Sequence, residues 1–355
     1  MCTEKTIKIG QIGIGHNHGI GTMNTLRKLS DRFEVVGVVE EDPVWREKRG
    51  WKPAYSDLPW LTEKELLGRA DVEAIAVETD VPHLSATALR CLQAGKHIQM
   101  DKPAGETYGE FKAVIDEARK RNLAVHMGYM FRNNPAIRFC IDAVRKGWLG
   151  TVFEIDAVMS RYDDQDYRDW LAGFAGGALY IFGCHLIDLV LQMLGRPARV
   201  VPYSRQTCPE LDSLYDNGMA VLEYERATAV VRTAVVEVEG FLRRQLVVCG
   251  TGGTIEIYPI EPLNQHPPTA FDQPPPMVPK LRMALTKPVE EYKAGYQEVV
   301  FPEMPGRYDE QMIEFADIVS GTIENPYGYD HELLLHECTL RACGYPLDGV
   351  TEDAQ

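Results

Sequence analysis

A short apolar run at residues 5–12 leads into Gly13-x-Gly15-x-x-His18 and then into a helical pattern ending near Leu29, and this junction restricts the fold more than any other stretch. Two glycines at that spacing let a strand turn tightly into a helix and leave backbone amides open to a pyrophosphate at the positive end of the helix dipole. The third glycine of the usual fingerprint is absent; His18 stands in its place, with Gly19 beside it. The second strand, at residues 33–40, ends on Glu40, where an acid can accept hydrogen bonds from both adenosine ribose hydroxyls and repel a 2′-phosphate. Gly13, Ile14, Gly15, His16, Asn17, His18 and Glu40 are therefore the expected dinucleotide contacts. With Glu41 and Asp42 following, NAD is favoured over NADP, and Arg46 is the nearby cation able to serve a phosphate instead.

The alternation continues with a helix at 63–68, a strand at 72–77, a helix at 82–94, a strand at 97–99, a helix at 107–121 and a strand at 124–127. Strands that alternate with helices imply right-handed crossovers and a doubly wound parallel sheet. After residue 151 the rhythm changes to β-rich runs at 152–161, 198–206, 218–224, 229–238, 244–248 and 254–258, with helices at 310–320 and 331–342. A chain of 355 residues exceeds the usual size of one core. The expected division is a dinucleotide domain at 1–127 and a substrate domain at 128–355, the latter an α/β unit on a large, mostly antiparallel sheet. Residues 259–288 are rich in proline, so they are expected to form a surface excursion or lid and no inner strand.

A formal net charge of -15 argues against a nucleic acid partner, because phosphate backbones need clustered cations. Eight cysteines without any C-x-x-C pair suit reduced thiols, with neither a disulfide framework nor a zinc site. No apolar run reaches the roughly 18 residues of a membrane span. The N-terminus has no room for a secretory signal before the first strand, so a cytoplasmic location is expected.

Two further stretches carry chemistry. Asp101-Lys102-Pro103 follows the fourth strand, at the carboxyl edge where open α/β sheets bind ligands. A lysine there can stabilise the alkoxide that forms as a hydride leaves its carbon. The second stretch is a nearly all-apolar helix at 178–194 that carries His185 and Asp188 on one face, preceded by Gly176-Gly177 for close backbone approach. Gly183 thins the helix beside His185, which suits an open cleft. An imidazole there is a general acid or base.

These residues resemble the Gfo/Idh/MocA oxidoreductase family of glucose-fructose oxidoreductase and inositol dehydrogenase-like proteins. The resemblance runs through Gly13-Ile14-Gly15, Val81-Pro82-His83 with Ala94-Gly95-Lys96-His97, Asp101-Lys102-Pro103, Gly128-Tyr129 with Arg132 and Pro135, and Gly183-x-His185-x-x-Asp188. It implies a Rossmann domain, a second domain whose open sheet makes homodimer or homotetramer contacts, NAD(P) in the cleft, and hydride transfer to or from sugars, polyols or their derivatives. By position it makes Lys102 and His185 catalytic, puts Asp101 near the nicotinamide ribose, and adds Glu78, Thr79, His83, Asp101 and Lys102 to the cofactor contacts. Tyr129, Arg132, Arg161, Tyr167, Arg168, Trp170 and Asp188 are the substrate candidates.

Three departures stand out. Many family dehydrogenases have an aspartate four residues before the histidine, where this chain has Ile181, and the aspartates at 163–169 are the candidate replacements. Glu78-Thr79-Asp80 replaces the family's Thr-Pro-Asn and adds negative charge near the cofactor. The proline-rich segment is the third. Glu332 and His336, with His331, are read as a surface group, and no metal site is expected. Three activities remain open: a reversible NAD-dependent carbohydrate dehydrogenase, an enzyme that keeps its NAD and cleaves a glycoside through transient oxidation, and a non-catalytic NAD-binding regulator.

Overall fold

The computed structural model describes residues 6–261, 278–304 and 306–347. Its first half alternates β1 (Ile7–Ile12), α1 (Gly19–Lys28), β2 (Phe33–Val39), α2 (Pro43–Arg49), α3 (Glu63–Leu67), β3 (Ala74–Val77), α4 (Leu84–Gln93), β4 (His97–Met100), α5 (Tyr108–Arg121) and β5 (Val125–Met127). The five strands form a parallel sheet in the order β2-β1-β3-β4-β5. All four residues of β3 are buried, as expected of a strand covered on both faces.

The second half contains α6 (Pro135–Arg145), β6 (Val152–Val158), α7 (Gln165–Ala172), α8 (Cys184–Leu194), β7 (Arg199–Arg205), β8 (Asn217–Glu223), β9 (Thr228–Ala234), β10 (Gln245–Gly250), β11 (Gly253–Ile257), β12 (Lys280–Leu285), β13 (Gly295–Val300), α9 (Asp309–Val319) and α10 (Tyr329–Ala342). Its eight-stranded sheet has the order β13-β12-β11-β10-β6-β9-β8-β7 and is antiparallel except where β6 runs parallel to β9. Strand residues alternate between buried and half-buried, so one face carries the core beneath α8 and α10. α9 returns to the first sheet, where Met312, Phe315 and Ala316, at helical spacing, pack on Ile7, Ile9, Phe33, Ala74 and Ala76.

Three sequence expectations need correction. Lys280–Leu285 lies inside the proline-rich segment yet pairs with a strand on each side, because the run from 280 to 287 contains no proline and keeps every amide donor; residues 262–277 of that segment lie outside the described residues. The stretch at 163–169, whose aspartates are candidates to replace a carboxylate at Ile181, opens α7 with Asp164 as its N-cap, accepting from Tyr167 N at 3.0 Å. The apolar helix at 178–194 begins with a π-helical turn at Leu179–Gly183 before α8 starts.

One buried ion cluster ties the segment after β5 to α8 and α10. Arg132, 1% exposed, donates to both Asp188 oxygens at 3.0 and 2.8 Å and to both Glu332 oxygens at 2.6 and 3.1 Å. It also lies 3.8 Å from the centre of the Tyr327 ring. His331 Nε2 adds a contact to Asp188 at 2.8 Å. Burial pushes the Asp188 carboxyl up, but Arg132 and His331 hold it down at about 2. Arg132→Ala leaves two buried carboxylates without their cation, and the expected loss is about 3–5 kcal/mol. Urea unfolding checks this, with the midpoint falling in Arg132→Ala and recovering only in part in Arg132→Lys, which lacks the two-sided fork.

Candidate active site

At the end of β1 the backbone of Gly13 adopts φ +90, and a Cβ there would lie 2.3 Å from Thr79 N. Only glycine lets β1 turn this close to the end of β3. Ile14 N donates to Glu40 Oε2 at 2.9 Å and Asp42 N to Oε1 at 3.0 Å, so the end of β2 is locked to the glycine turn. Burial pushes the Glu40 carboxyl up while these amides oppose it. A pocket of about 290 Å³ opens here, lined by Gly13, Glu40, Glu41, Asp42, Glu63, Thr79, Asp80 and His83 among others. His83 Nδ1 lies 2.7 Å from Asp80 Oδ1, Arg90 is held by Glu63 at 2.5 Å, and Arg46 stacks 3.4 Å over the Trp60 ring. The glycine turn and the acidic end of β2 fit the adenosine half of a dinucleotide. Glu78, expected near the cofactor, instead turns inward, accepting from Thr22 Oγ1 at 2.7 Å. The negative charge beside the pocket from this segment is that of Asp80.

Arg49 is a residue the sequence does not flag. Its guanidinium donates to Ile14 O at 3.1 Å, Gly15 O at 2.9 Å, His16 O at 2.6 Å and Asn17 Oδ1 at 2.8 Å, pinning the loop from outside. It comes from α2, a helix with no buried residue and hence no apolar stripe to reveal it.

A second cleft, of about 440 Å³, lies between the carboxyl edge of the first sheet and the second domain's sheet. His16, Asn17 and His18 line it from the glycine turn, Lys102 from the end of β4, and Ile181 and His185 from the π turn and α8. Tyr167 and Trp170, with ring centres 5.1 Å apart, form an aromatic side, and Arg161 stacks 4.8 Å from the Tyr167 ring. Lys102 Nζ donates to Ile181 O at 3.0 Å. The same carbonyl, in the π turn, also accepts from Cys184 Sγ at 3.5 Å. His185 is 1% exposed, its Nδ1 has no hydrogen-bond partner among the described residues, and its ring sits 5.7 Å from Tyr129 and 5.5 Å from Phe131. Burial, then Lys102, His18 and Arg307, hold this imidazole well below the usual histidine range. Packed aromatic rings, in place of a carboxylate, fix its position.

The cleft also includes Met130, Met159, Arg244 and Arg307, which the sequence does not single out. Arg244 Nη1 donates to Glu261 at 2.5 Å, and Arg307 lies 3.1 Å from the same carboxylate. Burial, with Arg307 and Arg161 nearby, brings the Arg244 guanidinium down to about 10.

Several substrate candidates are engaged away from this cleft. Arg132 and Asp188 belong to the buried ion cluster, and Tyr129 stands between that cluster and His185. Arg168 grips Asp212 at 2.8 and 3.0 Å and Asp216 at 3.2 Å. The aspartates proposed to replace a carboxylate at Ile181 also turn elsewhere: Asp163 pairs with Arg161 and Asp169 accepts from Gln165 at 2.7 Å. Burial brings the Asp163 carboxyl up to about 6. Gly183 gives no access to the cleft, because a Cβ there would meet Leu179 at 2.6 Å; its role is packing. Glu332 and His336, read as a surface pair, are both buried; the first is bound to Arg132, and the second lies 3.3 Å from Thr107 O.

Behind the cleft wall, Asp101 accepts from Lys102 N at 2.7 Å and faces two imidazoles. His16 Nδ1 is 3.2 Å and His18 Nδ1 3.0 Å from Asp101 Oδ2. Burial raises the Asp101 carboxyl, but the two histidines hold it well below its usual range. Burial lowers the His18 imidazole to about 4, against the pull of Asp101. Glu78 moves the other way, well above the usual carboxylate range, through burial and the neighbouring Asp101 charge.

A parallel sheet whose glycine turn opens on a cleft shared with a second sheet defines a Rossmann dinucleotide-binding protein of two parts. Residues 7–129 match the model of the oxidoreductase family with the NAD-binding Rossmann fold, and residues 137–256 match the GFO/IDH/MocA C-terminal domain. The chain belongs to the Gfo/Idh/MocA oxidoreductase family. It is 25% identical over 250 residues to an uncharacterized oxidoreductase of Schizosaccharomyces pombe, covering 69% of this chain and 64% of that protein. It is 32% identical over 139 residues to a dTDP-3,4-didehydro-2,6-dideoxy-alpha-D-glucose 3-reductase of Streptomyces violaceoruber, covering 38% of this chain and 40% of the relative. The matches thus span less than two thirds of either relative's length. A 3-ketoreductase from Actinomadura kijaniata, solved with NADP and TDP-benzene, has the same fold, with a TM-score of 0.72 at 19% identity over 94% of this chain and 95% of its own. Among the described residues no helix is long and apolar enough to cross a membrane.

The Gly13 contact yields a direct expectation. Gly13→Ala forces a Cβ into the Thr79 backbone, and the strain should weaken dinucleotide binding by roughly 10- to 100-fold. Fluorescence titration with NADH measures it, with far-ultraviolet dichroism expected to stay unchanged.

Proposed function

We propose that the protein is a dehydrogenase that moves a hydride between a nicotinamide and a carbon bearing a hydroxyl on a sugar, polyol or sugar derivative. The observation that carries this reading is the meeting of Lys102 and His185 on one cleft, beside the carboxyl edge of the first sheet. When bound, the dinucleotide accepts the hydride from the substrate carbon or returns it. The Lys102 ammonium, oriented by Ile181 O, steadies the negative charge that develops on the substrate oxygen. The neutral His185 imidazole takes the hydroxyl proton during oxidation and returns it during reduction. Tyr167 and Trp170 supply an aromatic side for a sugar ring, and Arg161 a polar contact.

NAD is the preferred cofactor in this reading, because Glu40, Glu41, Asp42 and Asp80 surround the pocket where a 2′-phosphate would lie, and Arg46 is turned onto Trp60. The sugar-nucleotide reductase relative supports a carbohydrate derivative as substrate. Residues 1–127 serve the dinucleotide and 128–355 the substrate, with α9 from the second part covering the first sheet. Exposed Phe153, Tyr203 and Tyr296 on the large sheet support a homodimer or homotetramer through it.

Incubation with NAD or NADP and a panel of sugars, inositols, sugar acids and glycosides tests this reading. NADH formation at 340 nm with one substrate class is expected, with slower turnover on NADP. Lys102→Ala and His185→Ala should each reduce the rate by about 10²–10⁴-fold while NADH still binds. Aglycone release without NADH would replace this reading with transient oxidation, and binding without turnover would replace it with regulation.

The pH profile follows from the buried imidazole. A His185 pKa held below its ordinary value of about 6.5 leaves the ring neutral across the neutral range. Oxidation kcat/KM should therefore be flat from about pH 6.5 to 8 and fall only on the acid side. Reduction, which needs the protonated ring, should speed up as pH falls through that same limb. Initial rates in both directions check the sign.

A further inference from the structure

We propose that the substrate of this cleft carries a carboxylate, bound by Arg161, Arg244 and Arg307 on the side of the second sheet. The inference deepens the dehydrogenase reading: it rests on that reading for the reaction and stands apart from it for the binding. Of the described residues that line the cleft, Lys102, Arg161, Arg244 and Arg307 are cations and none is an aspartate or glutamate. The chain as a whole has a formal net charge of -15, so this lining departs from the rest of the molecule. Arg161 follows β6, Arg244 directly precedes β10 and Arg307 lies just before α9, three separate segments brought to one space. The expected place of the dinucleotide's pyrophosphate is the Gly13 turn of the first sheet, so these arginines answer to a different group.

Arg244 is the clearest sign. Its side chain is 1% exposed, Nη1 donates to Glu261 and Nε to Ser160 O at 3.3 Å, and Nη2 has no hydrogen-bond partner among the described residues. A guanidinium arm buried in this way is costly until an acceptor meets it. Glu261 also takes Arg307 at 3.1 Å, so one carboxylate serves two guanidiniums. Arg161 pairs with Asp163, and its guanidinium meets that of Arg244 at the Phe241 ring, 5.4 and 4.0 Å from the ring centre. Burial, then Arg307 and Arg161, lower the Arg244 guanidinium against the pull of Glu261, as crowding of like charges requires. Asp101, which acts on Arg307, brings the carboxylates set against the four cations to three. A single negative charge evens that group, which fits a carboxylate and is exceeded by a doubly charged phosphate. The planar fork of arginine also matches the two oxygens of a carboxylate. Lys102 and His185 share the same cleft of about 440 Å³, so the acid group and the reacting hydroxyl belong to one small molecule, a sugar acid.

The test is calorimetric titration of the whole protein, saturated with NADH, with matched sets: gluconate against glucitol, glucuronate against glucose and galacturonate against galactose, each beside the corresponding 6-phosphate. At least one acid is expected to bind about 10- to 100-fold more tightly than its neutral partner. Arg161→Gln and Arg307→Gln should shrink that ratio toward one, and Arg161→Lys should restore part of it. A panel in which no acid outbinds its neutral partner overturns the proposal, as does a 6-phosphate that outbinds the acid or a preference that both variants leave intact. If the variants do not fold, glucuronamide decides with the wild-type protein, because it keeps the shape and removes the charge: binding as weak as that of glucose supports the proposal, and affinity equal to that of glucuronate overturns it. Binding is read here without turnover, so the two readings fail separately. Acid-selective binding without hydride transfer supports this inference while removing the dehydrogenase; NAD-dependent turnover of neutral sugars with no acid preferred does the reverse.

Discussion

The hydrogen bond from Lys102 Nζ to Ile181 O joins the two chemical halves of this molecule. One partner ends a strand of the parallel sheet; the other sits in the π turn that leads into the His185 helix. An ammonium buried without an acceptor would be costly, so the lysine depends on that carbonyl as much as the cleft depends on the lysine. The turn that presents this carbonyl leads into the helix that places His185 beside the same space.

Around this contact the protein spends charge on position. Arg132 is fully committed to Asp188 and Glu332, and it holds the segment after β5 against α8 and α10. Because α8 also carries His185, the cluster sets where the imidazole stands without touching the cleft. Tyr129 and Phe131, from the same segment as Arg132, press their rings against His185. This packing answers the problem raised by Ile181. The ring that lacks a carboxylate partner is held by shape, and its low basicity follows from the same burial.

What could be read from the sequence divides along physical lines. The β1 to α1 turn, Glu40 and Lys102 were legible because local backbone constraint and strand-end position determine them. His185 was legible through its helix and its resemblance. The fates of Arg132, Asp188 and Arg168 were not, because an ion pair is decided by what another part of the chain brings, and Glu332 and Asp212 are distant in sequence. Arg244 and Arg307 escaped for the same reason. The π turn left no trace in an unbroken apolar pattern, β12 was obscured by prolines on either side of it, and α2 has no buried face to show.

The central claim is that Lys102 and His185 face the reactive carbon of a bound nicotinamide. The most direct measurement is a crystal structure with NADH and a substrate analogue. The account predicts the adenosine in the acidic pocket beside Glu40, with Lys102 Nζ and the His185 imidazole each about 2.6–3.2 Å from the analogue's oxygen. A nicotinamide lying outside this cleft, or an analogue oxygen beyond the reach of both side chains, would contradict it.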